Sequence, residues 1–204
     1  MPTPGVLAGI RRFQERFQES RERFERLASQ GQAPQVLFIA CSDSRVAPEL
    51  ITDAELGDLY VLRTLGNLVP PFGTGDMSIG AAVEYAVLHL HVGHAVVCGH
   101  TDCGGIKALD QPVDWYREPH IARWIENARP AKTKVEASGL PSEELHLMTV
   151  RENVLLQLEH LRSYEAVREG ERTGSLAVHG WVYHLEAGSF ETYDAQAGTW
   201  VPLR

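Results

Sequence analysis

Residues 35–40, QVLFIA, form a run with no polar alternation, the pattern of a short strand covered on both faces, and Cys41 follows at its carboxyl end. Gly31 to Pro34 break the chain just before this run. A second run, Leu59 to Leu62, is followed by Gly66, Asn67 and a loop with Pro70, Pro71, Gly73 and Gly75, after which Ser78 to Leu90 has helical character. A third, Ala95 to Cys98, ends at Gly99. Strands alternating with helices predict an α/β fold, a central mostly parallel β-sheet flanked by helices, and such sheets hold ligands in the crevice at the carboxyl ends of their strands. Cys41, His100 and Cys103 all fall at or just beyond such ends.

The other segments are read more coarsely. Residues 110–139 suggest short helices and loop, Glu143 to Tyr164 a longer helix, Leu176 to Leu185 another strand, and Phe190 to Tyr193 its possible hairpin partner. Before the first strand, Val6, Ile10, Phe13, Phe17, Phe24 and Leu27 recur at helical spacing among Arg, Gln and Glu. That stripe suits a helix packed on its own domain or an arm laid across a second subunit. The expectation is one domain over 1–204, with 1–30 as the N-terminal helical arm and 31–204 as the α/β core.

Composition narrows the function classes. The 204 residues carry 19 Lys and Arg against 27 Asp and Glu, a net charge of -8 with no basic cluster, which leaves nucleic acid and anionic membranes without electrostatic support. No run is long enough to span a membrane and the N-terminus lacks a secretory apolar core, so the expected location is cytoplasmic. Three cysteines, an odd number, argue against a disulfide framework and towards metal or thiol chemistry.

The chemistry is carried by two segments, Cys41-Ser42-Asp43-Ser44-Arg45 and His100-Thr101-Asp102-Cys103-Gly104-Gly105. Two thiolates and an imidazole suit zinc, and three protein ligands leave a fourth tetrahedral corner for water, as in a catalytic site. Spacing leaves two alternatives open: buried structural cysteines beside a hydrogen-bonded histidine, or a thiol nucleophile with His100 as its base. Cys98, inside the third apolar run, is expected to be structural. Asp43 is placed either to join a metal or to accept a hydrogen bond from its water, and Arg45 can hold it in the second role by a bidentate pair.

CSDSRV followed by GHTDCGGIKAL resembles the paired signature of β-class carbonic anhydrases, and the similarity runs from Gly31 to Leu109 with weaker echoes at Glu152 to Leu158 and Val178 to Tyr183. The resemblance implies Cys41, His100 and Cys103 as ligands of one Zn2+ per chain, Asp43 and Arg45 as the catalytic pair, and reversible hydration of carbon dioxide to bicarbonate by zinc-activated water. Gln32, Tyr60, Tyr85 and Gly104 match substrate-side positions of the plant-type branch, and Tyr85 with His89 is a candidate proton relay. At least a homodimer is implied, tetramers being common. Thr64 stands where the family usually has Asn, an expected effect on loop packing, and Phe38 stands where the bicarbonate-regulated branch has Trp, with Arg63 and Tyr183 as the other members of that pocket. Hydrolysis of a carbon dioxide analogue such as carbon disulfide, or a zinc-stabilised scaffold, are the competing readings.

Overall fold

The three apolar runs become adjacent parallel strands in the computed structural model, which describes residues 3–74, 77–112 and 114–203. The strands are β1 (Val36–Cys41), β2 (Leu59–Thr64), β3 (His94–His100), β4 (Ala177–His184), β5 (Ser189–Asp194) and β6 (Thr199–Pro202). They form one sheet in the order β2-β1-β3-β4-β5-β6. The first four strands are parallel, and β5 and β6 add an antiparallel edge. From β1 the chain moves outward to β2 and then returns to the other side of β1 for β3, so the order reverses between β1 and β3. Crevices at such reversals, outside the carboxyl ends of the strands, are the ligand sites of open α/β sheets.

Eight α-helices connect the strands among the described residues: α1 (Pro4–Gln30), α2 (Pro48–Ile51), α3 (Met77–Glu84), α4 (Gly104–Lys107), α5 (Pro119–Ile125), α6 (Arg129–Glu136), α7 (Ser142–Arg162) and α8 (Glu165–Thr173). The expected helix over 78–90 is instead α3 continued by a π-helical turn, Tyr85–His89. Residues 110–139 hold α5, α6 and 3-10 turns, as their weak periodicity suggested. Gly75, part of the expected Pro-Gly loop, lies outside the described residues. No helix among the described residues is long and apolar enough to cross a membrane.

Alternation along the strands divides the core. Leu37, Ile39 and Cys41 join Ala95 and Val97 in the main cluster with Ile79 and Val83 of α3 and Val150, Val154 and Leu158 of α7. Phe38, Ala40, Val96 and Cys98 point the other way, into a second cluster with Val46, Trp181 and Tyr183. Cys98 is fully buried there and burial pushes its thiol up to about 12, the state of an inert structural cysteine. Buried polar groups are paired across elements: Gln157 of α7 accepts from the Val69 N–H at 2.8 Å and donates to Asn153 Oδ1 at 2.9 Å, and Arg151 forks onto Glu191 of β5 at 2.7 and 2.6 Å.

The chain divides into two units, Met1–Ala33 and Pro34–Arg204. In the first, Pro4 opens α1, where its missing N–H costs nothing, and Gly31 at φ 83 ends it. No residue of α1 is buried, and Val6, Leu7, Ile10 and Phe13 are exposed.

Candidate metal centre

The ends of β1 and β3 bring three ligand types together. The Cys41 and Cys103 sulfurs lie 3.9 Å apart, and these with a ring nitrogen of His100 fall within 4.8 Å of one another, all three residues buried. Two sulfurs each ~2.3 Å from one tetrahedral zinc would be separated by ~3.8 Å. The histidine is already in the right tautomer: Nδ1 stands 2.8 Å from the Thr101 carbonyl, which can only accept, so Nδ1 carries the proton and Nε2 is bare. That Nε2 is buried and makes no hydrogen bond among the described residues. A buried lone pair facing two sulfurs is a cost unless an electrophile takes it, so the donor set fits zinc.

The sulfurs are also prepared. Cys41 accepts from the backbone N–H of Asp43 and of Gly66, each at 3.4 Å. The bond from Cys103 lowers Cys41, against the effect of burial, and the same bond raises Cys103 above the ordinary thiol range, so the two sulfurs share one proton. Gly66 reaches the sulfur because its loop is left-handed at φ 70 and because Gly105 lies against it: a Cβ on Gly105 would come 2.9 Å from the Gly66 nitrogen. Asn153 of α7 holds the Gly66 carbonyl at 3.1 Å, and Thr64, buried, donates its hydroxyl to the Leu68 carbonyl at 2.9 Å, so its side chain does stitch the loop.

Asp43 is held beside the ligands rather than among them. Its carboxylate takes Arg45 Nε at 3.0 Å and Nη2 at 2.8 Å, as well as the Arg45 backbone N–H at 2.9 Å. The guanidinium keeps this carboxyl well below the usual range. Its Oδ2 is 3.9 Å from His100 Nε2. Arg63 secures the backbone of the same loop, donating to the Cys41 carbonyl at 3.1 Å and the Asp43 carbonyl at 2.6 Å. Beside Arg63 and Thr64 an open cleft of about 370 Å³ is lined also by Leu65, His120, Ile121 and Trp124.

The family model for carbonic anhydrase matches residues 36–190. This chain belongs to the β-carbonic anhydrases. A carbonic anhydrase of Pseudomonas aeruginosa is 40% identical over 97% of this chain and 90% of its own length. The β-carbonic anhydrase CcaA has the same fold with a TM-score of 0.90 and 38% identity, covering 97% of this chain and 98% of that one. One of two tetrameric β-carbonic anhydrases of Sordaria macrospora superposes with a TM-score of 0.80 at 26% identity, covering 97% and 96%. Carbon dioxide hydration is the general reaction of the family, and this chain is a carbonic anhydrase.

The remaining residues expected from the family signature lie at several places in the fold. Gly104 is exposed at the start of α4. Tyr60 is level with Leu37 in the sheet, while Thr64 is level with Cys41, so Tyr60 lies four strand residues, ~13 Å, below the metal centre of its own chain. Tyr85 packs on Tyr60 with ring centroids 6.0 Å apart, and His89 stacks on Tyr85 at 5.5 Å. The structure thus joins Tyr60, Tyr85 and His89 to one another. Gln32 is exposed in the segment that follows α1. Phe38 packs edge-on against Trp181 with centroids 6.0 Å apart. Asp102, to which sequence reading gave no role, bonds both Arg45 and Lys107. Its only signal was a second acid within the motif.

Proposed function

We propose that this chain hydrates carbon dioxide reversibly to bicarbonate and a proton with one zinc ion held by Cys41, His100 and Cys103. The observation that carries this reading is the bare, buried His100 Nε2 facing two sulfurs at tetrahedral spacing, with an ionised Asp43 alongside but engaged by Arg45. Zinc bound there supplies a Lewis acid that lowers the pKa of a water towards neutrality. Asp43, ionised, can only accept: it orients the proton of the attacking oxygen and leaves that oxygen's lone pair for carbon. Arg45 keeps the carboxylate from taking the fourth corner itself. Gly104 and Gln32 are the proposed contacts to substrate oxygen.

Tyr60, Tyr85 and His89 take part through self-association. Their distance from the metal centre of their own chain suits a homodimer in which one copy's tyrosines wall the other's pocket, and a tetramer is an extension of the same plan. Tyr85 and His89, stacked and partly exposed, are the proposed route for the product proton to reach buffer. The exposed apolar stripe of α1 suits the arm laid on a second copy. Three buried free cysteines fit a reducing, cytoplasmic compartment.

Metal analysis with stopped-flow hydration of the wild type and Asp43→Asn tests the core of this. Zinc near one per chain is expected in both, with the rate lowered ~100-fold or more in the variant. A wild type without zinc or hydration, or a variant at full rate, would refute the reading.

A further inference from the structure

The second signature loop also grips the arginine that restrains Asp43. Arg45 Nη1 donates to Asp102 Oδ2 at 2.7 Å, and Nη2 lies 3.2 Å from the Asp102 carbonyl. Nε and Nη2 meanwhile serve Asp43. The other Asp102 oxygen takes Lys107 Nζ, from the last residue of α4. A chain of alternating charge therefore runs Lys107, Asp102, Arg45, Asp43 across both loops.

Building on the zinc reading above, we propose that Asp102, backed by Lys107, is a positioning residue that fixes Arg45 and so keeps Asp43 off the fourth corner of the metal. Arg45 is about half exposed, at 49%. A half-exposed guanidinium paired with one carboxylate gains little and swings readily among rotamers. Held from two directions by separate loops, the same fork cannot turn without breaking both pairs, and the two carboxylates use different side-chain N–H groups, Nη1 against Nε and Nη2. Asp102 can serve as the fixed post because its own backbone is unusual: φ is 58, in the left-handed region that Asp and Asn tolerate, between two metal-ligand residues. Asp43 Oδ2 is only 3.9 Å from His100 Nε2, so a side-chain rotation separates the restrained carboxylate from one that ligates. Whatever steadies Arg45 sets that balance.

Asp102→Asn keeps the left-handed backbone and the shape while removing the charge, and Lys107→Met removes only the backing. Both are measured as zinc-loaded protein, by loss of zinc to a chelator and by kcat/KM at neutral pH. Asp102→Asn is expected to slow zinc loss several-fold, because Asp43 then spends longer as a fourth protein ligand, and to lower kcat/KM about five-fold; Lys107→Met should do the same more weakly. In an Asp43→Asn background, where no carboxylate can close, Asp102→Asn should leave zinc loss unchanged. Equal slowing in both backgrounds, or no slowing by either variant, overturns the proposal while leaving the zinc reading intact. Should Asp102→Asn fail to fold, Lys107→Met in the same two backgrounds decides. A wild type that takes up no zinc refutes both.

Discussion

Three cysteines of identical chemistry end in different states because of what surrounds each sulfur. Cys98 lies among apolar side chains, donates to the Gly99 carbonyl at 3.4 Å and stays a protonated thiol, whereas Cys41 receives two backbone N–H groups and the Cys103 thiol. Cys103→Ser should therefore lose zinc and all hydration, while Cys98→Ser should keep one zinc per chain and lose stability, about 1–3 kcal/mol for a buried hydroxyl. Metal content and urea midpoints check both. The shared proton of the metal-free pair makes a separate forecast. Since Cys41 lies low and Cys103 high, zinc uptake near pH 7.5 should release about one proton, the one kept on Cys103. Calorimetric titrations in buffers of different ionisation enthalpy read this number, repeated at pH 6.5 so that the share lost by a zinc-bound water is separated, and a release of two at the lower pH would mean that the sulfurs do not share. Residue type and order put Cys41, His100 and Cys103 at strand ends with Asp43 and Arg45 beside them, and the structure brings the five together; their expected roles came from the family resemblance. Asp102 was not legible, because a salt bridge between loops 57 positions apart leaves no periodic trace.

At the scale of elements, the loops that carry the ligands are fixed by contact between backbones. Gly105 faces Gly66 so closely that an added Cβ would meet the Gly66 nitrogen at 2.9 Å, whereas a Cβ on Gly104 would meet nothing within 4 Å. Gly105→Ala should accordingly cost about 1–3 kcal/mol and weaken zinc binding by pushing the Gly66 N–H from the Cys41 sulfur, while Gly104→Ala should change stability by less than about 0.5 kcal/mol. Thermal unfolding with and without added zinc separates these outcomes. The strands β1 to β3 were readable because each holds a continuous apolar run, β4 because it is rich in Val, Trp and Tyr, and α7 because Val150, Val154, Leu158 and Leu161 recur at helical spacing. Shorter elements escaped: α2 and α4 are single turns of four residues, too short for a period to show. In α8 only Val167 and Gly170 are buried, so the stripe is too sparse to read. The π-turn at Tyr85–His89 has the composition of an ordinary helix, and only three-dimensional packing distinguishes it.

Across the whole molecule, three histidines, His146 and His160 of α7 and His179 of β4, lean the same way. Burial lowers His146, with Lys107 adding to the effect; it lowers His160 against an opposing bond to the Val69 carbonyl; and it lowers His179, where neighbouring His94 adds to it. In the unfolded chain each takes up a proton near pH 6.5, while in the fold each stays neutral to lower pH. Between those values the unfolded state binds more protons, so stability must fall as pH falls. Above pH ~7.5 neither state is protonated at these sites and they contribute no slope. The urea midpoint should therefore be level from pH 8 to about 7.5 and then decline through 6.5 towards 5. Zinc release on acidification would add to the same decline, so the histidine share is read from a difference. His160→Gln, which can still donate to the Val69 carbonyl, should shrink the drop in midpoint between pH 7.5 and 5.5 without altering zinc content. A drop of wild-type size in that variant would show that His160 titrates alike in both states, and would leave the acid sensitivity to His146, His179 and the metal ligands.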